Sequence, residues 1–279
     1  MNEFGILHLK DEKFDISESR DMQLLIRVSP KRISYAIVNQ KDNHLAVLYD
    51  APVHKTIEAS LNEIMQANDY LKSTFAAVKV SVETLNFTLI PIQYYTKDDL
   101  AGYEKLVQAH EGTKTFISTI NAEAVKCVIA LDLEVTAPFI SIFSQIRLMS
   151  QVNPLVEGGM KLVAPNASKL LLQFSTDSFE AYLSVDDKLV FYNLFNITNA
   201  DDFNYYLLIL MQELKPDPYK TSVYLAGDIE EGDVYYSRVD KYFPEISFAD
   251  STKLVSLAGD LNQIQVHKYF SLLSLKAFE

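Results

Sequence analysis

Residues 24–38 read LLIRVSPKRISYAIV, and residues 170–184 read LLLQFSTDSFEAYLS. Each opens on an apolar run, breaks at a few polar residues, and resumes with apolar residues at every second position: Ile33, Tyr35 and Ile37 in the first, Phe179, Ala181 and Leu183 in the second. Period-two alternation across a short break is the pattern of a half-buried strand pair. Leu24 matches Leu170, Leu25 matches Leu171, Ser29 matches Ser175 and Ile33 matches Phe179, all at an offset of 146 residues.

The stretches C-terminal to the two strand pairs repeat as well. Residues 39–44 supply a turn and residues 45–49 a third β-rich run, completing a meander. From Thr56 the period becomes helical, with Ile57, Leu61, Ile64, Met65 and Leu71 on one face and Thr56 as the cap; a strand over 78–85 comes next. In the second half, Asp186 and Asp187 make the turn and residues 189–195 the third strand. Asn199 then caps a helix whose face carries Phe203, Tyr206, Leu207, Leu210, Met211 and Leu214, and residues 222–225 form the next strand. The pattern reads as a duplicated unit of three strands, a helix and a further strand. Two unrelated αβ domains that both begin with a hairpin are the alternative. A chain of 279 residues accommodates two such units, and the spacing is too long for a solenoid or propeller repeat.

The expected domains are residues 1–152, with an inserted segment around 86–122, and residues 153–279. Between the repeats, 87–95 reads as a strand that Pro91 confines to an edge or bulge, 98–108 as a short helix, and 124–131 as a buried strand. Residues 135–143 look helical with Pro138 in the first turn, and 153–166, carrying Pro154, Pro165 and Gly158-Gly159, is the expected boundary. The end of the chain, HKYFSLLSLKAFE, is too apolar for a free tail and is expected to dock back on the first domain.

Composition narrows the chemistry. Hydrophobic residues make up 48%, enough for a sizeable core and too many for intrinsic disorder. Lys plus Arg number 25 against 37 Asp plus Glu, a net charge of −12 that repels nucleic acid and anionic lipid. No apolar run approaches a membrane span, and MNEFGILHLKDEKFD lacks the layout of a signal peptide, so a cytoplasmic protein without membrane insertion is expected. Cys127 is the single cysteine and sits in VKCVIAL, where a buried thiol packs inertly. Glycine is scarce, 8 of 279 residues against a usual ~7%, so Gly-rich phosphate cradles have little material.

Other constellations favour structural roles. His8, His44, His54, His110 and His267 are scattered, with no pair at helical zinc-binding spacing, and no metal site is expected. The adjacent acids Asp98-Asp99, Asp186-Asp187, Asp201-Asp202 and Glu230-Glu231 suit turns and helix starts better than the fixed separation of an acid/base pair. Asp132 and Glu134 stand at a strand's carboxyl end, the usual crevice side in αβ folds, but acids there do not by themselves define a site. Ser29, Ser175 and Ser178 lack the setting of a nucleophile elbow, so no catalytic residue is assigned. The 16 Tyr and 16 Phe include pairs such as Tyr94-Tyr95 and Tyr205-Tyr206, which serve equally as core-edge residues or as an interface.

The duplicated meander, helix and strand resembles the ribonuclease H-like duplication of the actin-like ATPase fold, which includes sugar kinases, heat-shock seventy chaperones and bacterial proteins that scaffold division and type IV pili. More closely, LLIRVSPKRISYAIV, LNFTLIPIQYY (85–95) and HKYFSLLSL (267–275) resemble an uncharacterised family of Bacteroidetes proteins, the domain of unknown function 3822 family. The resemblance implies two ribonuclease H-like α/β domains with mixed five-stranded sheets flanked by helices.

It also supplies a chemical test. Actin-like ATPases place Asp-x-Gly between the first two strands of each domain, so that glycine admits phosphate and aspartate serves the metal. Here those places read Arg27-Val28-Ser29-Pro30 and Gln173-Phe174-Ser175-Thr176. Pro30 further removes a backbone donor. The glycine under the adenine has its best counterpart in Gly227, also an ordinary turn glycine, beside the acids Asp228, Glu230, Glu231 and Asp233. The expectation is an actin-like pseudo-ATPase that binds a protein partner or a second copy, without a cofactor and without efficient hydrolysis. Alternatively it is a divergent nucleotide-binding ATPase or kinase with Ser29, Lys31, Ser175, Thr176 and Gly227 around ATP and magnesium. An unrelated αβ binding module is the third reading.

Overall fold

A computed structural model describes residues 5–120 and 124–278. The start of the N-terminal stretch (1–4), the end of the inserted segment (121–122) and Glu279 lie outside the described residues. The chain divides into two compact units, Met1–Pro154 with Thr252–Ile264 and Leu272–Glu279, and Leu155–Ser251 with Gln265–Ser271.

In the first unit β1 (Leu7–Lys10), β2 (Met22–Val28), β3 (Arg32–Asn39) and β4 (Leu45–Pro52) precede α1 (Ile57–Ala67) and β5 (Ala77–Val82). Then come β6 (Phe87–Pro91), α2 (Leu100–Leu106), β7 (Thr113–Ile120), β8 (Val125–Asp132), α3 (Leu133–Ile142) and β9 (Ile146–Ser150). The main sheet has the order β1-β4-β3-β2-β5-β9; β2 pairs antiparallel with β3 and parallel with β5. The meander is as the sequence predicts, with β1 added as a sixth strand on its edge. The Thr56 hydroxyl accepts from the Ala59 amide at 3.1 Å, and Leu61, Ile64 and Met65 turn inward from α1.

The inserted segment forms a separate antiparallel sheet, β6-β8-β7. Pro91 ends edge strand β6 four residues before the predicted stop, since it offers no N–H to the ladder, and Ile92–Tyr94 coil into a 3-10 turn. Central β8 buries Cys127 completely, and burial pushes its thiol up to about 12. Pro138 falls in the second turn of α3, because the helix starts two residues earlier than its apolar pattern; the bond it forgoes is to the carbonyl of exposed Glu134. In β5 the side chain of Lys79 is buried at 4% exposure, and its ammonium donates to the carbonyls of Leu275, at 3.2 Å, and Phe278.

At the expected boundary over 153–166 the chain begins as a helix: α4 (Val152–Lys161) starts within the first unit and runs into the second. Pro154 occupies its first turn, where no hydrogen bond is lost, and Gly159 lets it close on the sheet. A Cβ there would stand 2.8 Å from the Tyr182 ring.

The second unit continues with β10 (Ser168–Phe174), β11 (Ser178–Val185), β12 (Lys188–Asn196), α5 (Ala200–Leu214), β13 (Thr221–Gly227), α6 (Val234–Asp240) and β14 (Ile246–Phe248); α7 (Phe270–Ser274) lies near the C-terminus. Its sheet order, β12-β11-β10-β13-β14, repeats β4-β3-β2-β5-β9. The offset of 146 carries β2 onto β10 and β3 onto β11 end to end. Asp186 and Asp187 take φ of 51° and 57°, the left-handed pair of a tight hairpin turn. The Asn199 side chain caps α5 by accepting from Asp201 and Asp202 amides.

Fully buried Phe203 fixes this core: its ring lies 5.1 Å from Phe174, 4.9 Å from Phe179 and 5.5 Å from Tyr235. Phe203→Ala is expected to cost about 3–5 kcal/mol of stability in urea unfolding, since the rings around the cavity cannot collapse into it. Cys127 is expected to resist thiol reagents in the folded protein up to pH 9 and to react at once in denaturant, because both burial and the raised pKa withhold the thiolate. Native labelling at pH 8 at the rate of a free thiol would contradict the buried position.

Candidate functional site

The strands β2 and β3 are joined by a turn of minimal length. The Ser29 amide donates to the Arg32 carbonyl at 2.9 Å, and the Arg32 amide donates back to the Ser29 hydroxyl at 3.1 Å. Ser29 is thereby buried at 7% exposure, while Pro30 and Lys31 form the exposed tip. The Lys31 carbonyl accepts from the Val53 amide at 2.8 Å, which ties the tip to the end of β4.

The turn between β10 and β11 is closed in the same way, by the Ser175 amide on the Ser178 carbonyl at 2.9 Å. Ser175 is half-buried and Thr176 exposed. Gly227 adjoins this turn: it is the register partner of Phe174, and the Phe174 carbonyl accepts from the Asp228 amide at 3.0 Å. Its φ is 81°, and a Cβ would lie 1.9 Å from that carbonyl oxygen, so no other residue fits. Of the five candidates, the structure brings Ser29 and Lys31 together in one unit and Ser175, Thr176 and Gly227 together in the other.

The side chains at the Asp-x-Gly places are engaged elsewhere. Arg27 pairs with Glu83, just past the end of β5, at 3.0 Å, both side chains being largely buried. Beside this pair Arg32 holds the buried Asp50 through Nε at 3.1 Å to each oxygen, and the Ser34 hydroxyl donates to Asp50 at 2.7 Å. In the second unit the Gln173 amide nitrogen donates to the Phe174 carbonyl at 3.3 Å, and its oxygen is buried without a hydrogen-bond partner among the described residues. Sequence reading missed the Arg27–Glu83 pair and the buried Lys79. The signal in both cases is a charged residue inside a strand whose neighbours are all apolar.

Several of the remaining candidates have structural partners. Asp233 caps α6 by accepting from the Tyr236 amide at 2.7 Å, and Glu230 pairs with Lys268 at 2.6 Å, which holds its carboxyl below the usual range. Asp99 caps α2 through the Gly102 amide. Asp132 and Glu134 are exposed, Asp132 lying 3.9 Å from His110. His267 is buried against Phe248 and donates from Nε2 to the Ile229 carbonyl at 2.9 Å; desolvation keeps its pKa below that of a free imidazole. A cleft of about 430 Å³ in the first unit is lined by Lys10, Asp11, Lys13, Asp42, His44 and Asp260 among others, with His44 Nε2 2.9 Å from Asp11. Among the described residues, no three His, Cys, Asp or Glu side chains gather as metal ligands.

Two solved structures share this architecture. One is a protein from Bacteroides thetaiotaomicron with an actin-like ATPase fold and unknown function: it is 18% identical, with a TM-score of 0.80 over 95% of this chain and 99% of that one. The other is the PilM–PilN type IV pilus biogenesis complex, 13% identical, with a TM-score of 0.66 over 93% of this chain and 99% of that one. At these identities the likeness establishes the fold, which is that of the actin-like ATPases. No curated protein matches the sequence. The profile of a family of unknown function, DUF3822, matches residues 11–246, and the chain belongs to that family.

Proposed function

We propose that the protein is a protein-interaction or scaffold module built on the actin-like ATPase fold, without efficient nucleotide hydrolysis. The observation that carries this reading is the pair of closed turns, in which the amides of Ser29 and Ser175 are spent on the carbonyls of Arg32 and Ser178. A phosphate cradle needs such amides turned outward, and a bound metal needs carboxylate at the places held by Arg27 and Gln173. Arg27 brings the charge a phosphate would seek but is already neutralised by Glu83. The donor set therefore does not fit a triphosphate with its metal. The need for glycine at Gly227 follows from its φ of 81° and from the Phe174 carbonyl and Gln173 side chain packed against it, without a ligand.

A protein partner is supported by analogy: the PilM–PilN structure places this fold in a two-protein complex. Among the described residues no helix is long and apolar enough to cross a membrane. The competing reading, a divergent ATPase or kinase, rests on the exposed turn tips Lys31 and Thr176.

Titration calorimetry with ATP and magnesium is expected to show no binding heat at micromolar protein, and phosphate release to stay at the blank rate. Micromolar binding that Lys31→Ala or Thr176→Ala weakens tenfold or more would establish the competing reading. Gly227→Arg is unsuited to this comparison, since the added side chain is expected to unfold the second unit.

A further inference from the structure

We propose that the outer edge of β12 pairs, strand to strand, with the β12 of a second copy of this chain. The inference rests on the interaction reading and names its surface.

The duplication supplies the first argument. In the first unit β4 is covered on its outer side by β1, with Leu7–Lys10 opposite Asp50 to Val47. The same offset that relates β3 to β11 places residues 191–194 of β12 where residues 47–50 of β4 stand, because Leu183 pairs with Phe191 as Ile37 pairs with Val47. Among the described residues no further strand lies beyond β12; it ends the sheet. One half of the molecule thus shows what this edge accepts: a short antiparallel strand.

The second argument is that β12, bulged only near its start where Val190 has no register partner on β11, lacks the usual protection of an edge along residues 191–195. Exposed strand edges are blunted by shortness, proline or inward charge. Four of the other five sheet ends are short or end on proline: β14 has three residues, β1 four and β9 five, and β6 ends on Pro91; the fifth, β7, has eight residues and carries the exposed Lys114. β12 has nine residues, and 189–195 read LVFYNLF, without charge, proline or glycine. Its rim is apolar as well. Val190 is 52% exposed, and on the adjoining α5 Tyr205, Leu208 and Ile209 are 62%, 44% and 36% exposed at helical spacing. Tyr206, its ring tilted against Phe195 at 4.7 Å, joins the helix to the strand.

The third argument selects the occupant. A chain of net charge −12 repels its own copy across most of its surface. Along residues 189–195 two copies pair antiparallel about a two-fold axis with no like charge opposite like charge. Antiparallel pairing also carries Lys188, at the start of the strand, toward the far end of its partner strand, which leads into the acidic first turn of α5 at Asp201 and Asp202. An acidic partner of other sequence gains neither symmetry nor that end-to-end match.

Sedimentation velocity of the full chain tests the proposal, with Val190→Lys as the edge variant and Tyr219→Lys, at a site 83% exposed outside β12 and α5, as a control of equal added charge. The wild type and the control are expected to form a dimer in concentration-dependent equilibrium. Val190→Lys is expected to weaken it at least tenfold, about 1.4 kcal/mol, with an unchanged melting curve. Hydrogen exchange supplies a second readout: alternate β12 amides should be protected in the dimer and exchange in the variant. A wild type that stays monomeric, or a dimer that Val190→Lys leaves intact, would overturn the edge pairing. Neither outcome bears on the calorimetry with ATP, so loss of this surface and loss of the interaction reading remain separate results.

Discussion

The parallel pairing of the first strand of each repeat with its fourth governs the rest of the structure. β2 lies parallel to β5 from Gln23 opposite Ala77 to Val28 opposite Val82, and β10 lies parallel to β13 from Ser168 opposite Thr221 to Phe174 opposite Gly227. A parallel neighbour cannot be reached by a tight turn; the chain must cross over, and here α1 and α5 do so. Each crossover helix then covers one face of its sheet, and β2 and β10 are buried at most positions instead of alternating between buried and exposed. The pairing also brings two carboxyl ends together. The Val28 carbonyl receives the Glu83 amide at 2.8 Å, and the Phe174 carbonyl receives the Asp228 amide at 3.0 Å. Those two bonds set the backbone beside each hairpin turn, and so decide what the turns have room to hold.

Elements inside this frame were legible because their signals are local. The meanders, both crossover helices and their caps Thr56 and Asn199 follow from periodicity and capping chemistry within a dozen residues. The short edge strands β1, β9 and β14 were not legible: runs of three to five residues acquire their strand character from the neighbour they pair with, as Ile146–Ser150 does from β5. β7 is longer, but its half-buried pattern alternates weakly and depends on β8. α4 was not read, for a different reason. Proline and glycine usually punctuate the chain, yet Pro154 falls in the one helical turn that tolerates it, and Gly159 is dictated by the Tyr182 ring across the helix–sheet contact. That ring belongs to a strand more than twenty residues away in sequence, so no local rule could weigh it.

At the turns, sequence shows what is missing and structure shows what stands instead. The loss of Asp-x-Gly at both places could be read directly. That Arg27 would find Glu83, 56 residues on, could not, nor that Lys79 would reach carbonyls 196 and 199 residues on. Buried ions are costly unless paired or fully hydrogen-bonded, so each of these groups demands its distant partner, and fold formation at these points is specified by long-range contacts alone. The scarcity of glycine acquires a location as well. Of the two compositions a strand-end turn could take, this chain keeps Gly227, where a Cβ would collide with backbone, and has Ser29 and Ser175 at the two places where glycine would serve a ligand.

The two halves of one chain act as each other's comparison. Their turn-closing bonds are the same to the atom: amide of the serine to carbonyl three residues on, 2.9 Å in each. Their side chains are not. One half places a buried arginine and glutamate together, while the other has a glutamine turned onto its own backbone with its oxygen unmatched and an exposed Asp228 where Glu83 stands. A shared fold requires only like backbone. What the halves have in common at these positions is closure of the hairpin, which engages the Ser29 and Ser175 amides in the chain's own backbone.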